Sequence, residues 1–262
     1  RMSHEHDDLD EVEEPSDGSI EPSERRSGGG ISVRVMSPGE EEEGDEDLDV
    51  PDSLPILPLK NTVLFPYLLS PLLVNTPASK RLIDDVLMRP DRMLLCTAVR
   101  RPVEGPPAPE DVHDVGTVLR VVKMLKFPDD SYRLLVQGVA RADIVEFEQT
   151  VPYLAGRIAL RPDSGDLDSV EIEALTRSVS QQFSQLVGES PRLSDELQVL
   201  VANLDDPSKL ADLVASNLEL DVAGKQRVLE ATNVPERLKG VLGHLTKEGQ
   251  ALQIETEIKE KV

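Results

Sequence analysis

The spacing of apolar residues changes once along this chain, and that change limits the folds open to it. From residue 54 to about 160, apolar residues come in short aliphatic and β-branched runs broken by proline and glycine. After the turn signal PDSG at 162–165 they recur every three to four residues up to Val262. Alternation or short apolar runs describe strands, and a 3.6-residue period describes helices with one buried face. The sequence therefore predicts an α+β protein, with a β-rich lobe over 53–162 and a helical lobe over 166–262.

Strands are predicted at 56–59, 72–74, 94–99, 117–125, 132–136 and 153–160. The runs at 117–125 and 132–136 flank FPDDS at 127–131, an insert of hairpin length and turn composition. One helix interrupts them. Thr76 can cap it, Pro77 suits its first position, and Leu82, Ile83, Val86 and Leu87 form its apolar stripe before Pro90 stops it. The proline-rich stretch 100–114 reads as an exposed loop.

In the helical lobe, Asp168 or Ser169 caps a helix that buries Ile172, Leu175, Val179, Phe183 and Leu186 and stops near Gly188. Further helices start at Ser194, at Asp206-Pro207, and at a short segment capped by Asp221 that ends near Ala231. Asn233 and Glu236 can form a capping box for the last helix. Its stripe runs from Leu238, Val241, Leu242 and Leu245 to Ala251, Ile254, Ile258 and Val262, and the chain is expected to continue as helix beyond that point.

Charge is concentrated at one end. Of the net charge of -22, residues 1–52 carry -15, from 19 acids against four arginines. With acidic blocks, a Gly28-Gly29-Gly30 spacer and few apolar residues, this acidic tail is expected to be disordered. His4 and His6 sit there among acids, too loosely held to make a metal site. One cysteine excludes an internal disulfide and a thiolate zinc cage, which points to the cytoplasm. No apolar run approaches the roughly 20 residues that cross a bilayer, so no membrane span is expected. The negative balance also argues against a nucleic-acid partner.

Catalytic chemistry is sought and not found. No glycine-rich loop is followed by Lys-Ser/Thr, so no cofactor-binding site for ATP is expected here. Cys96 lies in an apolar run and reads as a small buried thiol before it reads as a nucleophile paired with His113. His244 has no second ligand at helical spacing, so no metal site is expected. Asp84-Asp85 and Asp205-Asp206 read as solvated faces and caps. What remains is apolar surface. The segment VLFPYLLSPL at 63–72 is densely apolar, and its prolines deny it a regular central strand. Either part of it stays exposed to bind other apolar chains, or Phe65, Leu68 and Leu72 fill the core.

Four stretches resemble the N-terminal region of Lon, the ATP-dependent protease family. LPILPLKNTVLFP at 54–66 is similar to the family's opening strand and Phe/Tyr-Pro turn. VGTV at 115–118 with MLKFPD at 124–129 resembles its central hairpin, and LVQGVARA at 135–142 the strand after it. DDPSKLAD at 205–212, Lys225-Gln226 and PERL at 235–238 resemble its helical lobe. The resemblance covers residues 54–262 and leaves the acidic tail outside.

That resemblance implies a mixed, small barrel-like sheet with one helix, followed by a helical bundle that ends in a long connector helix. It implies a region that engages unfolded or degron-bearing protein substrates and helps organise a hexamer, with a dimer conceivable for the region alone. ATP and Mg would belong to an AAA+ module, and cleavage to a Ser-Lys dyad, neither of which this sequence contains. Phe65, Pro66, Tyr67, Leu68, Leu69 and Arg81 are the substrate-binding candidates it implies. The segment PASKR at 77–81 is less charged than the family's Glu-Lys-containing version. The alternative reading is a self-contained protein-binding module of the same fold, without ATPase or protease.

Overall fold

The computed structural model describes residues 34–35 and 49–262; the acidic tail's remaining residues, with His4 and His6, lie outside the described residues. From Ser53 onward six strands form one mixed sheet, and helices follow. The strands are β2 (Ser53–Leu59), β3 (Leu68–Val74), β4 (Met93–Ala98), β5 (Val115–Lys126), β6 (Tyr132–Gln149) and β7 (Ala155–Leu160), with a two-residue strand β1 (Arg34–Val35) ahead of them. The order is β1-β3-β6-β5-β4-β2-β7. Because β7 also pairs with β6, strands β6, β5, β4, β2 and β7 close on themselves as a small barrel. Among the described strands only β2 and β4 run parallel.

Four strands, β2, β3, β5 and β6, are longer than their sequence suggests, and β3 and β6 differ in ways the topology explains. β3 starts at Leu68 and tolerates Pro71 because that residue is exposed and near the sheet's edge, where a missing N–H breaks no ladder bond. β6 runs to Gln149 and changes partners on the way. Its first part lies between β3 and β5, and its last part pairs with β7. Gly138 and the acidic stretch Glu146-Phe147-Glu148 hide that continuity in the sequence.

Helix α1 (Pro77–Leu87) is capped by Thr76, whose side chain accepts from the Ser79 amide at 3.3 Å. It buries Leu82, Ile83 and Val86 in one cluster with Leu57, Leu72, Val74 and Leu94 of the sheet. Each fully buried side chain of this kind stabilises the fold by roughly 1.5–3 kcal/mol. Lys80 ties the helix to the β5–β6 turn through a 2.6 Å ion pair with Asp130.

The helical lobe comprises α2 (Val170–Glu189), α3 (Glu196–Ala202), α4 (Pro207–Asn217), α5 (Val222–Glu230) and α6 (Val234–Lys261). Ser169, Asp206 and Asp221 cap as their chemistry dictates. At α6 only half of the expected capping box forms: Asn233 accepts from the Glu236 amide at 3.0 Å, while the Glu236 carboxylate pairs with Lys239. The helical core is continuous with the sheet. Phe183, Leu210, Val214, Leu238 and Val241 share one buried cluster with Val63, Phe65, Leu68, Ala98 and Val115 of the β-rich part.

Candidate functional site

Phe65-Pro66-Tyr67 turns the chain into β3. Pro66 presets one central φ of the turn, and Tyr67 takes φ +67°, a left-handed value that L side chains rarely adopt. The turn is pressed against β6. The Tyr67 amide donates to the Gly138 carbonyl at 3.0 Å, and a Cβ at Gly138 would meet the Phe65 carbonyl oxygen at 2.2 Å. Only glycine allows this approach.

The six candidates divide by burial. Phe65, Pro66 and Leu68 are buried, and Phe65 and Leu68 belong to the core shared with the helices. Tyr67 is 40% exposed, Leu69 is half-buried and Arg81 is exposed on α1, where it pairs with Asp85. The Tyr67 ring lies under the Lys209 ammonium at 5.0 Å, beside the helical lobe. Burial, with Asp163, Asp212 and Asp206 nearby, raises its hydroxyl pKa, so the ring reaches the surface as a neutral phenol. Arg81 stands on the helix that packs on a different cluster from Phe65 and Leu68.

Leu69 leads to residues that the sequence reading did not single out. In β3 the alternation is regular, with Leu68, Ser70, Leu72 and Val74 inside and Leu69, Pro71 and Leu73 outside. The strand registers carry the outer row across the sheet: Leu73 opposes Arg133, which opposes Leu125, and Pro71 opposes Leu135, which opposes Lys123. Leu73 is 58% and Leu125 49% exposed, and Leu135 is half-buried. Arg133 lies over the Phe127 ring at 4.1 Å, and Lys123 is exposed on β5 opposite Leu135. The result is an exposed apolar face with basic residues set into it. The run LLSPLLV at 68–74 carries leucines on both faces and so has no apolar/polar alternation to mark the outer row, and Pro71 breaks the strand pattern as well.

Elsewhere the titratable groups are structural. Cys96 is buried, and burial pushes its thiol up to about 12, so it is protonated at neutral pH. Cys96 packs in the cluster that α1 covers, whereas His113 lies 3.5 Å from Arg100 and 3.9 Å from Glu230. Asp84 and Asp85 are more than a solvated face, since they accept from the Tyr132 and Tyr153 hydroxyls at 3.3 and 2.7 Å. His244 is half-buried on α6. Among the described residues no group of three His, Cys, Asp or Glu side chains could hold a metal ion.

His113 gives the domain an acid-sensitive element. Burial lowers its pKa below the ordinary value of 6.5, Arg100 adds to this, and Glu230 and Asp114 oppose it without prevailing. The unfolded chain therefore takes up this proton first. The contribution to stability is complete above 6.5 and is lost as pH falls from there through the depressed folded value. Urea unfolding at pH 7.5 and pH 5.5 is expected to show a larger acid loss in the native chain than in His113→Gln; equal losses would remove His113 from the account.

A profile of the ATP-dependent protease La (LON) substrate-binding domain matches residues 53–247. The Lon protease of Dictyoglomus thermophilum is 37% identical over 223 residues, covering 85% of this chain and 28% of that protein. That of Geobacter metallireducens is 38% identical over 215 residues, covering 82% of this chain and 26% of that protein. The chain thus spans little more than a quarter of these curated relatives. The N-terminal domain of the Mycobacterium avium complex Lon protease superposes with a TM-score of 0.62 at 22% identity, covering 74% of this chain and 98% of that one, which shows a shared fold.

Proposed function

Because the chain belongs to the family of Lon substrate-binding domains, we propose that it is the client-gripping N-terminal region of an ATP-dependent Lon-type protease. Its clients are unfolded or degron-bearing proteins, and it holds them through apolar contacts without altering them chemically. The observation that carries this reading is the exposed outer face of β3, β6 and β5, where Leu69, Pro71, Leu73, Leu135 and Leu125 lie side by side. Burial of apolar area is favourable without regard to sequence, as a receptor for diverse unfolded chains requires. Tyr67 and Arg81 are the other candidates a client can reach. Phe65, Pro66 and Leu68 act by shaping the turn that presents them.

ATP and Mg chemistry and peptide cleavage by a Ser-Lys dyad belong, in this reading, to other modules of a cytoplasmic protein. Assembly into a hexamer involves the end of α6, where Ile254 and Ile258 are each 59% exposed at one helical spacing. Among the described residues no helix is long and apolar enough to cross a membrane.

Fluorescence anisotropy with reduced, carboxymethylated α-lactalbumin as the unfolded client tests the proposal. Leu73→Ser with Leu125→Ser is expected to weaken binding by about tenfold, from roughly 1–2 kcal/mol of lost apolar contact, while the melting temperature stays within a few degrees because both side chains are exposed. Unchanged affinity would rule out this face.

A further inference from the structure

The outer edge of β3 carries a second kind of contact. β1 pairs antiparallel with β3 there, Arg34 opposite Leu69 and Val35 opposite Leu68. Pro71 opposes Leu135 of β6 and has no N–H to give, so that pair is of the type without hydrogen bonds. By alternation the pair of Leu69 with Gln137 is of the same type. The Leu69 N–H and C=O therefore point away from β6, toward β1. Along this edge the outward-facing residues are Leu69, Pro71 and Leu73, and Pro71 offers no donor. Pairing is thus confined to a short stretch at Leu68 and Leu69, and the observed partner is two residues long. An edge blunted by proline in this way is protected from indiscriminate strand addition and stays open to a short segment.

We propose that the Leu68–Leu69 edge is a strand-acceptor site for extended client polypeptide, and that Arg34–Val35 is the chain's own occupant, which a client must displace. The inference rests on the client-gripping function and specifies how clients are held. A client strand placed there extends the sheet, and its alternate side chains lie beside Leu69 and Pro71 on the apolar outer face. Backbone pairing supplies contacts that no client sequence lacks, and the apolar face supplies the preference for unfolded segments. The internal strand is a weak competitor because it offers few ladder bonds, so it screens the edge without closing it.

The test uses the full chain in three forms: native, Arg34→Pro and Leu69→Pro. Proline at 34 removes the internal strand's donor opposite Leu69. Proline at 69 removes the acceptor edge's donor, and β3 keeps its bonds to β6 because position 69, like Pro71, gives none to that side. The probe is a short fluorescein-labelled peptide of alternating valine and serine, alongside a twin in which alternate amides are N-methylated. Arg34→Pro is expected to bind the probe about fivefold more tightly, and Leu69→Pro about fivefold more weakly, on the basis of one or two ladder bonds. N-methylation is expected to abolish both differences. Hydrogen exchange at the Leu69 amide is expected to be slow in the native chain and fast in Arg34→Pro.

If all three forms bind the probe equally, and the methylated twin as well, the strand-acceptor site is refuted while the client-gripping function stands. Absence of binding by all three overturns both, and exchange at Leu69 then still decides whether Arg34–Val35 occupies the edge. Fast Leu69 exchange in the native chain refutes the internal occupant.

Discussion

Replacing Asp212 by Asn is expected to lower the unfolding free energy by about 3–5 kcal/mol, the range seen when one partner of a buried ion pair is removed. Asp212 on α4 accepts from both terminal nitrogens of Arg141 on β6, at 2.8 and 2.6 Å, and both side chains are almost fully buried. The Arg141 Nε donates to the Leu229 carbonyl at 2.7 Å, so the guanidinium is held by α4 and by the end of α5 together. Arg237 of α6 extends the network. It donates to the Ser208 hydroxyl at 2.8 Å and to Asp163 at 2.5 Å, and it lies 3.7 Å from Asp212. The Ser208 hydroxyl donates in turn to Asp163. Without the Asp212 carboxylate, Arg141 would remain charged and buried beside an amide, and the joint between sheet and helices would carry the cost.

Urea unfolding followed by far-UV circular dichroism checks this, with the double variant Arg141→Met, Asp212→Leu as the reference. That double variant is expected to lose far less, because an apolar pair of similar volume leaves no charge without a partner. A loss below about 1 kcal/mol in Asp212→Asn would mean that water or rearrangement satisfies Arg141. The same network has an acid limit. Burial pushes the Asp163 carboxyl up, but the Ser208 hydroxyl and the Arg237 guanidinium outweigh it and hold the carboxyl below its usual 3.8. Its contribution is therefore present above 3.8 and lost as pH falls through the lower folded value. His113 loses its contribution below 6.5 and Asp163 below 3.8, so acid weakens the fold over two ranges of pH.

Features built from neighbours in sequence were legible, and those built across the fold were not. The caps at Thr76, Ser169, Asp206, Asp221 and Asn233 were readable because an N-cap is a side chain bonding an amide two or three residues away. The start of β3 was not, because Pro71 breaks an isolated strand pattern and is harmless only at an edge, a fact of topology. The extent of β6 was hidden for the same reason, since it serves one partner and then another. Arg141 and Asp212 stand 71 positions apart, and neither residue type announces burial. The apolar cluster at 63–72 was visible, but the sequence could not say which of its residues face the helices. That division decides the candidate site.

Phe65→Ala is expected to cost about 3–5 kcal/mol, the range for emptying a buried aromatic site. Tyr67→Gly, two residues along, is expected to stay within about 1 kcal/mol of the native chain. Phe65 is 1% exposed and packs in the cluster that contains Phe183 and Leu210, so its removal opens a void where sheet and helices meet. Tyr67 loses its contact with Lys209, which contributes about 0.5–1 kcal/mol at an exposed site. It gains a residue at ease with φ +67°, which relieves strain on the order of 1 kcal/mol. The two changes therefore separate holding the turn from presenting it. Thermal melts and client anisotropy on the same preparations are expected to show Phe65→Ala losing both stability and binding, and Tyr67→Gly losing binding alone. If Phe65→Ala melts like the native chain yet no longer binds, Phe65 touches clients directly and is not the peg that joins the lobes; if Tyr67→Gly binds as before, clients pass the turn by and rest on the outer face of β3 alone.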